Sequence, residues 1–141
     1  MPGIEAFFDK ATSTVTYLVW DPAMREAAVI DAVLDFDPAT GRLGAASADA
    51  VLARAAELNL KVAWALETHA QGSVFDRLFE DGDTFAIGGL QARVMHTPGH
   101  TPACVTYVID DAAFVGDTLF MPDYGTARAD FPGGDAAVLY R

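Results

Sequence analysis

A single cysteine, Cys104, stands in 141 residues. That excludes an internal disulfide framework and suits a reducing compartment. Positive charge is scarce: 9 Lys and Arg face 20 Asp and Glu, for a formal net charge of −11 at pH 7. A surface so acidic repels polyphosphate, which excludes nucleic acid and anionic membrane as partners. No apolar run approaches the ~18 residues of a bilayer span, and no basic stretch leading into an apolar one opens the chain, so a soluble, cytoplasmic protein is expected. Internal repeats are absent and no linker divides the sequence, so one domain over residues 1–141 is expected. What the chain does have is apolar material, 52% of its residues, ample for a core and too much for a disordered segment.

Thr12 to Val19 alternates and is rich in β-branched residues, Asp21-Pro22 turns the chain, and Glu26 to Asp31 returns, which predicts an antiparallel hairpin. Asp35 to Ala46 reads as an irregular loop from its Asp, Pro and Gly content. Ser47 is placed to cap a helix over Ala48 to Leu58, with Val51, Leu52, Ala55 and Leu58 on one face and Asn59 as its stop. Lys61 to Leu66 is nearly all apolar, as a strand buried on both faces would be. Gln71 to Phe79 is a short mixed segment and Glu80 to Asp83 a turn. Four strands follow, over Thr84–Ile87, Leu90–Met95, Ala103–Ile109 and Ala112–Val115, with Gly88-Gly89 and Asp110-Asp111 as tight connections. Asp135 can cap a last helix through Leu139, which at about six residues falls far short of the ~12–15 that are marginal alone. The end therefore reads as a cut.

Three apolar runs end on a side chain suited to a metal. One is Val62 to Thr68, ending on His69. Another is Val94-Met95-His96-Thr97-Pro98-Gly99-His100, where Pro98 fixes φ near −65° and Gly99 permits a positive φ, so His100 is offered on stiff backbone. The last is Val115-Gly116-Asp117. Two imidazoles and one carboxylate make a facial triad that suits Fe(II) and leaves positions open; Zn(II) or Mn(II) fits the same donors. Other acidic groups, Asp35, Asp37 and Glu80 to Asp83, read as solvated turns. Cys104, among apolar and β-branched neighbours, reads as a small buried hydrophobe.

These stretches also resemble a known family. Thr14 to Leu18, Arg25 to Asp31, Glu67-Thr68-His69-Ala70, His96 to Thr106, Gly116-Asp117-Thr118-Leu119-Phe120 and Ala127-Arg128-Ala129-Asp130-Phe131 together resemble the metallo-β-lactamase-fold proteins. Within that superfamily the likeness is to the glutathione-dependent persulfide dioxygenases and their bacterial β-lactamase-like relatives. The resemblance implies an α/β (α+β) fold, the αββα sandwich, incomplete over these residues. The family pattern Thr-His-x-His-x-Asp-His is met only by Thr68-His69; Gln71-Gly72-Ser73 follows Ala70 directly. The later ligands, the helix and strand after them and the C-terminal strands are absent, so the expectation is either an internal deletion after Ala70 with a C-terminal truncation, or a sequence that omits residues the whole molecule has. A sandwich lacking half its second layer would expose apolar faces over Ala103 to Val115, which predicts aggregation or a homodimer.

By the same resemblance, iron is held by His69, His100 and Asp117, and a two-zinc hydrolase site would need the missing ligands too. One mononuclear Fe(II) is therefore expected, with Zn(II) as the alternative. The implied activity is oxidation of glutathione persulfide by O₂ to sulfite. Arg128 is the candidate to bind a glutathione carboxylate, its planar fork suiting bidentate pairing. Thr101 is placed to donate to substrate or to fix its loop. Asp130 is read as anchoring a ligand imidazole or Arg128, and His96 as stabilising the loop without touching metal. The competing readings are a zinc-dependent glyoxalase II-like thioester hydrolase and a scaffold without turnover.

Overall fold

A computed structural model describes residues 1–69 and 75–141, with Phe36 by its backbone alone. The expected join at Ala70-Gln71 lies outside the described residues. Two compact units form, residues 1–67 with 87–90, and residues 68–86 with 91–141. No described helix is long and apolar enough to cross a membrane.

The first unit is built on a four-stranded sheet in the order β1-β2-β3-β6, from β1 (Gly3–Asp9), β2 (Thr14–Trp20), β3 (Glu26–Ile30) and β6 (Lys61–Leu66). The expected hairpin is β2 against β3, antiparallel, with Leu18 opposite Val29. It starts two residues later than predicted, because Thr12 turns inward to Asp9, its amide and hydroxyl both bonding that carboxylate. β1 has no counterpart in the sequence reading. Its half-buried face carries Gly3, Glu5, Phe7 and Asp9, while Ile4 and Phe8 are exposed. Hydrophobic alternation therefore points to the wrong face.

Two further expectations are corrected here. Residues 35–46 are not irregular: β4 (Asp35–Asp37) and β5 (Arg42–Gly44) pair as a ribbon, closed by Asp37, which accepts from the Ala39 amide and the Thr40 hydroxyl. The helix α1 spans Ala46–Glu57, and Ser47 is not its cap. Its amide and hydroxyl are both drawn to the Asp35 carboxylate, at 2.9 and 2.5 Å. That charge satisfies an early helix amide from across the chain, and these hydrogen bonds hold the Asp35 carboxyl below its ordinary range.

Val51 and Ala55 of α1 are buried with Leu18, Ala27 and Val29, and Leu58 packs partly against them. Leu52, expected on that face, is 51% exposed. Asn59 ends the helix in the left-handed region, φ 53°. β6 runs parallel to β3 but is not buried on both faces; Ala63 and Ala65 are exposed. Its exposed and half-buried residues alternate, so it is covered on one face only. The hairpin tip Gly88-Gly89 belongs to this unit, its amides bonded to Glu26 and Asp21.

The second sheet runs β10-β9-β8-β7, from β7 (Thr84–Ile87), β8 (Leu90–His96), β9 (Val105–Ile109) and β10 (Ala112–Phe114). All four match predicted strands, β9 starting two residues later than Ala103. Phe79 stacks on Phe85 at 5.0 Å, and both meet Tyr107 edge-on. The apolar exposure expected over Ala103 to Val115 is confined to Ala113; Val105 and Val108 are half-buried, and Cys104, Tyr107, Ile109 and Phe114 are buried. Exposed apolar side chains fall instead at Leu119, Met121 and Tyr124. The last helix, α2 (Ala136–Leu139), is capped as predicted, with Asp135 accepting from the Ala137 and Val138 amides.

Candidate metal centre

The three predicted ligands sit on turns, two of them beside a closely packed glycine. Thr68, buried, gives its carbonyl to the Val105 amide at 2.7 Å, and its hydroxyl lies 3.0 Å from His69 Nδ1. Gly116, at φ 51°, presses on that hydroxyl: a Cβ there would lie 2.2 Å from Thr68 Oγ1. Asp117 follows in a one-turn 3₁₀ helix, Gly116–Thr118. Thr118 bonds the Thr97 hydroxyl at 3.1 Å, and that hydroxyl bonds Thr106. The Asp117 turn is thereby tied to the loop that carries His100. In that loop Gly99 has φ 141°, and a Cβ on it would lie 2.4 Å from Leu139 Cβ.

His100 is buried and its tautomer follows from its partners. Nδ1 lies 2.6 Å from the Arg128 carbonyl oxygen. A carbonyl only accepts, so Nδ1 carries a hydrogen and donates. Nε2 then faces Asp117 Oδ2 at 3.1 Å. In a neutral imidazole this sets a lone pair against a carboxylate lone pair, which is repulsive unless a proton or a cation lies between them. His69 has its ring centroid 6.2 Å from that of His100, at 69°. Thus His100 and Asp117 are brought together and His69 is their neighbour. Among the described residues, however, no three His, Cys, Asp or Glu side chains converge on one point. The donor set suits a small cation at the His100–Asp117 pair, with His69 beside it.

The remaining predicted residues have other partners. Thr101 fixes its loop: its hydroxyl accepts from the Ala103 amide and touches Cys104 Sγ at 3.2 Å. His96 also braces the loop, its Nε2 2.8 Å from the Pro102 carbonyl and its amide on Asp81. Arg128 grips Asp130 with two bonds, at 2.5 and 2.6 Å, and its guanidinium carbon sits 4.8 Å from the Phe131 ring centre. Arg128 holds the Asp130 carboxyl below its usual range, and Asp130 raises the guanidinium in turn. A substrate carboxylate would have to compete with Asp130 for that fork. Sequence reasoning missed Phe131, whose ring meets His100 at 5.2 Å and 87°, and the Arg128 carbonyl. A main-chain oxygen leaves no trace in the sequence.

Residues 65–141 match the metallo-beta-lactamase superfamily, and the chain belongs to that superfamily. Its two four-stranded sheets and few helices agree with that fold. Particular relatives narrow the class. The chain is 47% identical to a probable metallo-hydrolase of Burkholderia pseudomallei over 98% of its own length and 65% of that protein's. It is 34% identical to the mitochondrial persulfide dioxygenase ETHE1 of Homo sapiens, over 97% of this chain and 59% of that one. The crystal structure of ETHE1 from Myxococcus xanthus superposes with a TM-score of 0.83 at 31% identity, covering 98% of this chain and 66% of its own. The chain thus spans less than two thirds of the length of these relatives. The Burkholderia alignment runs over 192 positions against 141 residues here, so at least 51 of them have no residue of this chain.

Proposed function

We propose that the chain is a mononuclear non-haem iron dioxygenase of the persulfide-oxidising kind, taking glutathione persulfide, O₂ and water to sulfite and glutathione. The carrying observation is His100, whose Nδ1–H is spent on a carbonyl while Nε2 opposes Asp117. That arrangement is satisfied by one cation, as it is by a proton. His69, His100 and Asp117 would hold it, and when bound Fe(II) would supply open positions for sulfur and oxygen. The chain's own groups do the rest. The Arg128 carbonyl keeps the Nδ1 proton in place, the Thr97–Thr118 bond fixes the turn bearing Asp117, and Arg128 offers a carboxylate partner if Asp130 yields it. Likeness to the human and Myxococcus proteins supports the reaction class. The lone, buried Cys104 fits a cytoplasmic, reducing setting. The alignment gap supports the absence of a family segment from this sequence.

A zinc-dependent thioester hydrolase is the second reading, its hydrolase part alone supported by the name of the Burkholderia relative, a probable metallo-hydrolase; a scaffold without turnover is the third. Oxygen uptake by the iron-loaded chain with glutathione persulfide separates them. Uptake with sulfite formation is the expected result. Thioester cleavage with added zinc and no oxygen uptake would overturn it in favour of the hydrolase, and neither activity would leave the inactive scaffold.

A further inference from the structure

The stretch from Arg128 to Leu139 closes over the His100 turn at several points. The Asp135 amide bonds the Gly99 carbonyl at 2.8 Å. Gly134 lies so close that a Cβ on it would sit 3.0 Å from the His100 carbonyl oxygen. Leu139 packs where Gly99 lacks a side chain. The imidazole itself is held on two sides, by the Arg128 carbonyl at Nδ1 and by the Phe131 ring. Phe131, 43% exposed, lies under the Arg128 guanidinium, which both Asp130 oxygens grip. A planar cation over an aromatic ring is attracted to it, and bidentate pairing removes the freedom of the long side chain.

We infer that Asp130, Arg128 and Phe131 form a relay of positioning residues that holds the His100 ring in one orientation, with Nδ1–H on the Arg128 carbonyl and Nε2 towards Asp117. On this account Arg128 works through Phe131 and its own carbonyl rather than as a free anchor for substrate. Each member acts on the next: the carboxylate locks the guanidinium, the guanidinium locks the ring, and the ring denies the imidazole the rotation that would exchange its two nitrogens. Groups that orient a ligand histidine commonly alter metal affinity by ~10–100-fold when removed. The consequence for metal rests on the proposed function; the consequence for the imidazole does not.

His96 supplies an internal control, since its Nε2 faces the Pro102 carbonyl and must carry the hydrogen, the opposite tautomer to His100. The experiment uses the whole chain, with two readouts. Two-bond proton–nitrogen NMR without metal, at a pH where both imidazoles are neutral, gives the tautomer of each histidine, and competition with a coloured chelator gives zinc affinity. Phe131→Leu is expected to mix the His100 tautomers, leave His96 unchanged and weaken zinc binding about tenfold. Phe131→Tyr is expected to restore both. Asp130→Asn, at an exposed position that no core depends on, should move both readouts the same way by a smaller amount, and it decides the matter if Phe131→Leu does not fold. Wild-type tautomer and wild-type affinity in Phe131→Leu and Asp130→Asn would overturn the relay. If the wild-type chain binds no zinc, the metal assignment fails and NMR alone judges the relay: mixed tautomers support it, an unchanged His100 refutes it.

Discussion

At Gly116 one hydrogen in place of a methyl allows the Asp117 turn to reach Thr68. Gly116→Ala must bear both a left-handed φ, roughly 1–2 kcal/mol, and a methyl pressed on the Thr68 hydroxyl, whose packing strain is typically ~1–3 kcal/mol. A loss of at least about 2 kcal/mol is expected from denaturant unfolding. Loss below about 0.5 kcal/mol would mean the turn is not held against Thr68. Glu67, two residues before His69, makes a separate prediction. Burial, with the charge of Asp31 adding, pushes its carboxyl from the ordinary 4.5 up to about 7. The folded chain then holds this proton more tightly than the unfolded one. The contribution is full below the unfolded value and is lost as pH rises to about 7. Melting temperatures taken with chelator present should fall across that window and flatten in Glu67→Gln; an equal slope in both would remove Glu67 as the cause. At this scale His69, His100 and Asp117 were legible because each ends an apolar run. Phe131 was legible only as part of an Arg-x-Asp-Phe pattern, without its role.

Among the elements, the strands that read best were those bounded by strong turn residues: β2 with β3 around Asp21-Pro22, β7 with β8 around Gly88-Gly89, and β9 with β10 around Asp110-Asp111. β4 and β5 escaped notice because three-residue strands carry too little alternation to outweigh the Asp, Pro and Gly between them. The start of α1 was misread for a different reason. Ser47 has the chemistry of a cap, but Asp35, 12 residues away, competes for its hydroxyl, and a long-range partner has no local pattern. β6 was read as buried on both faces from composition alone, whereas its sheet order leaves it on the edge. Ala63→Lys tests this directly. On an exposed edge position it should change stability by less than about 0.5 kcal/mol, and a chain that fails to fold would restore the buried reading. For α2, Asp135→Ala removes the acceptor for two amides. It should cost about 1 kcal/mol and speed hydrogen exchange at Ala137 and Val138; unchanged exchange there would deny the cap.

For the molecule as a whole, its charge of −11 and its superfamily fold set broad limits, and the chemistry depends on whether the chain gathers a metal. The superfamily was legible in the sequence because its turns carry fixed chemistry, Thr-Pro-Gly-His and Gly-Asp. How closely the three donors converge was not, since convergence depends on where separate strand ends stop in space. His100 and Asp117 meet at 3.1 Å, with His69 alongside. The most direct measurement is the number of Fe(II) ions bound per chain under anaerobic loading, by elemental analysis, in the wild type beside His69→Ala, His100→Ala and Asp117→Ala. One ion per wild-type chain is predicted, lost in the His100 and Asp117 variants and weakened at least tenfold in the His69 variant. No bound iron, or iron that all three substitutions leave in place, would contradict the account.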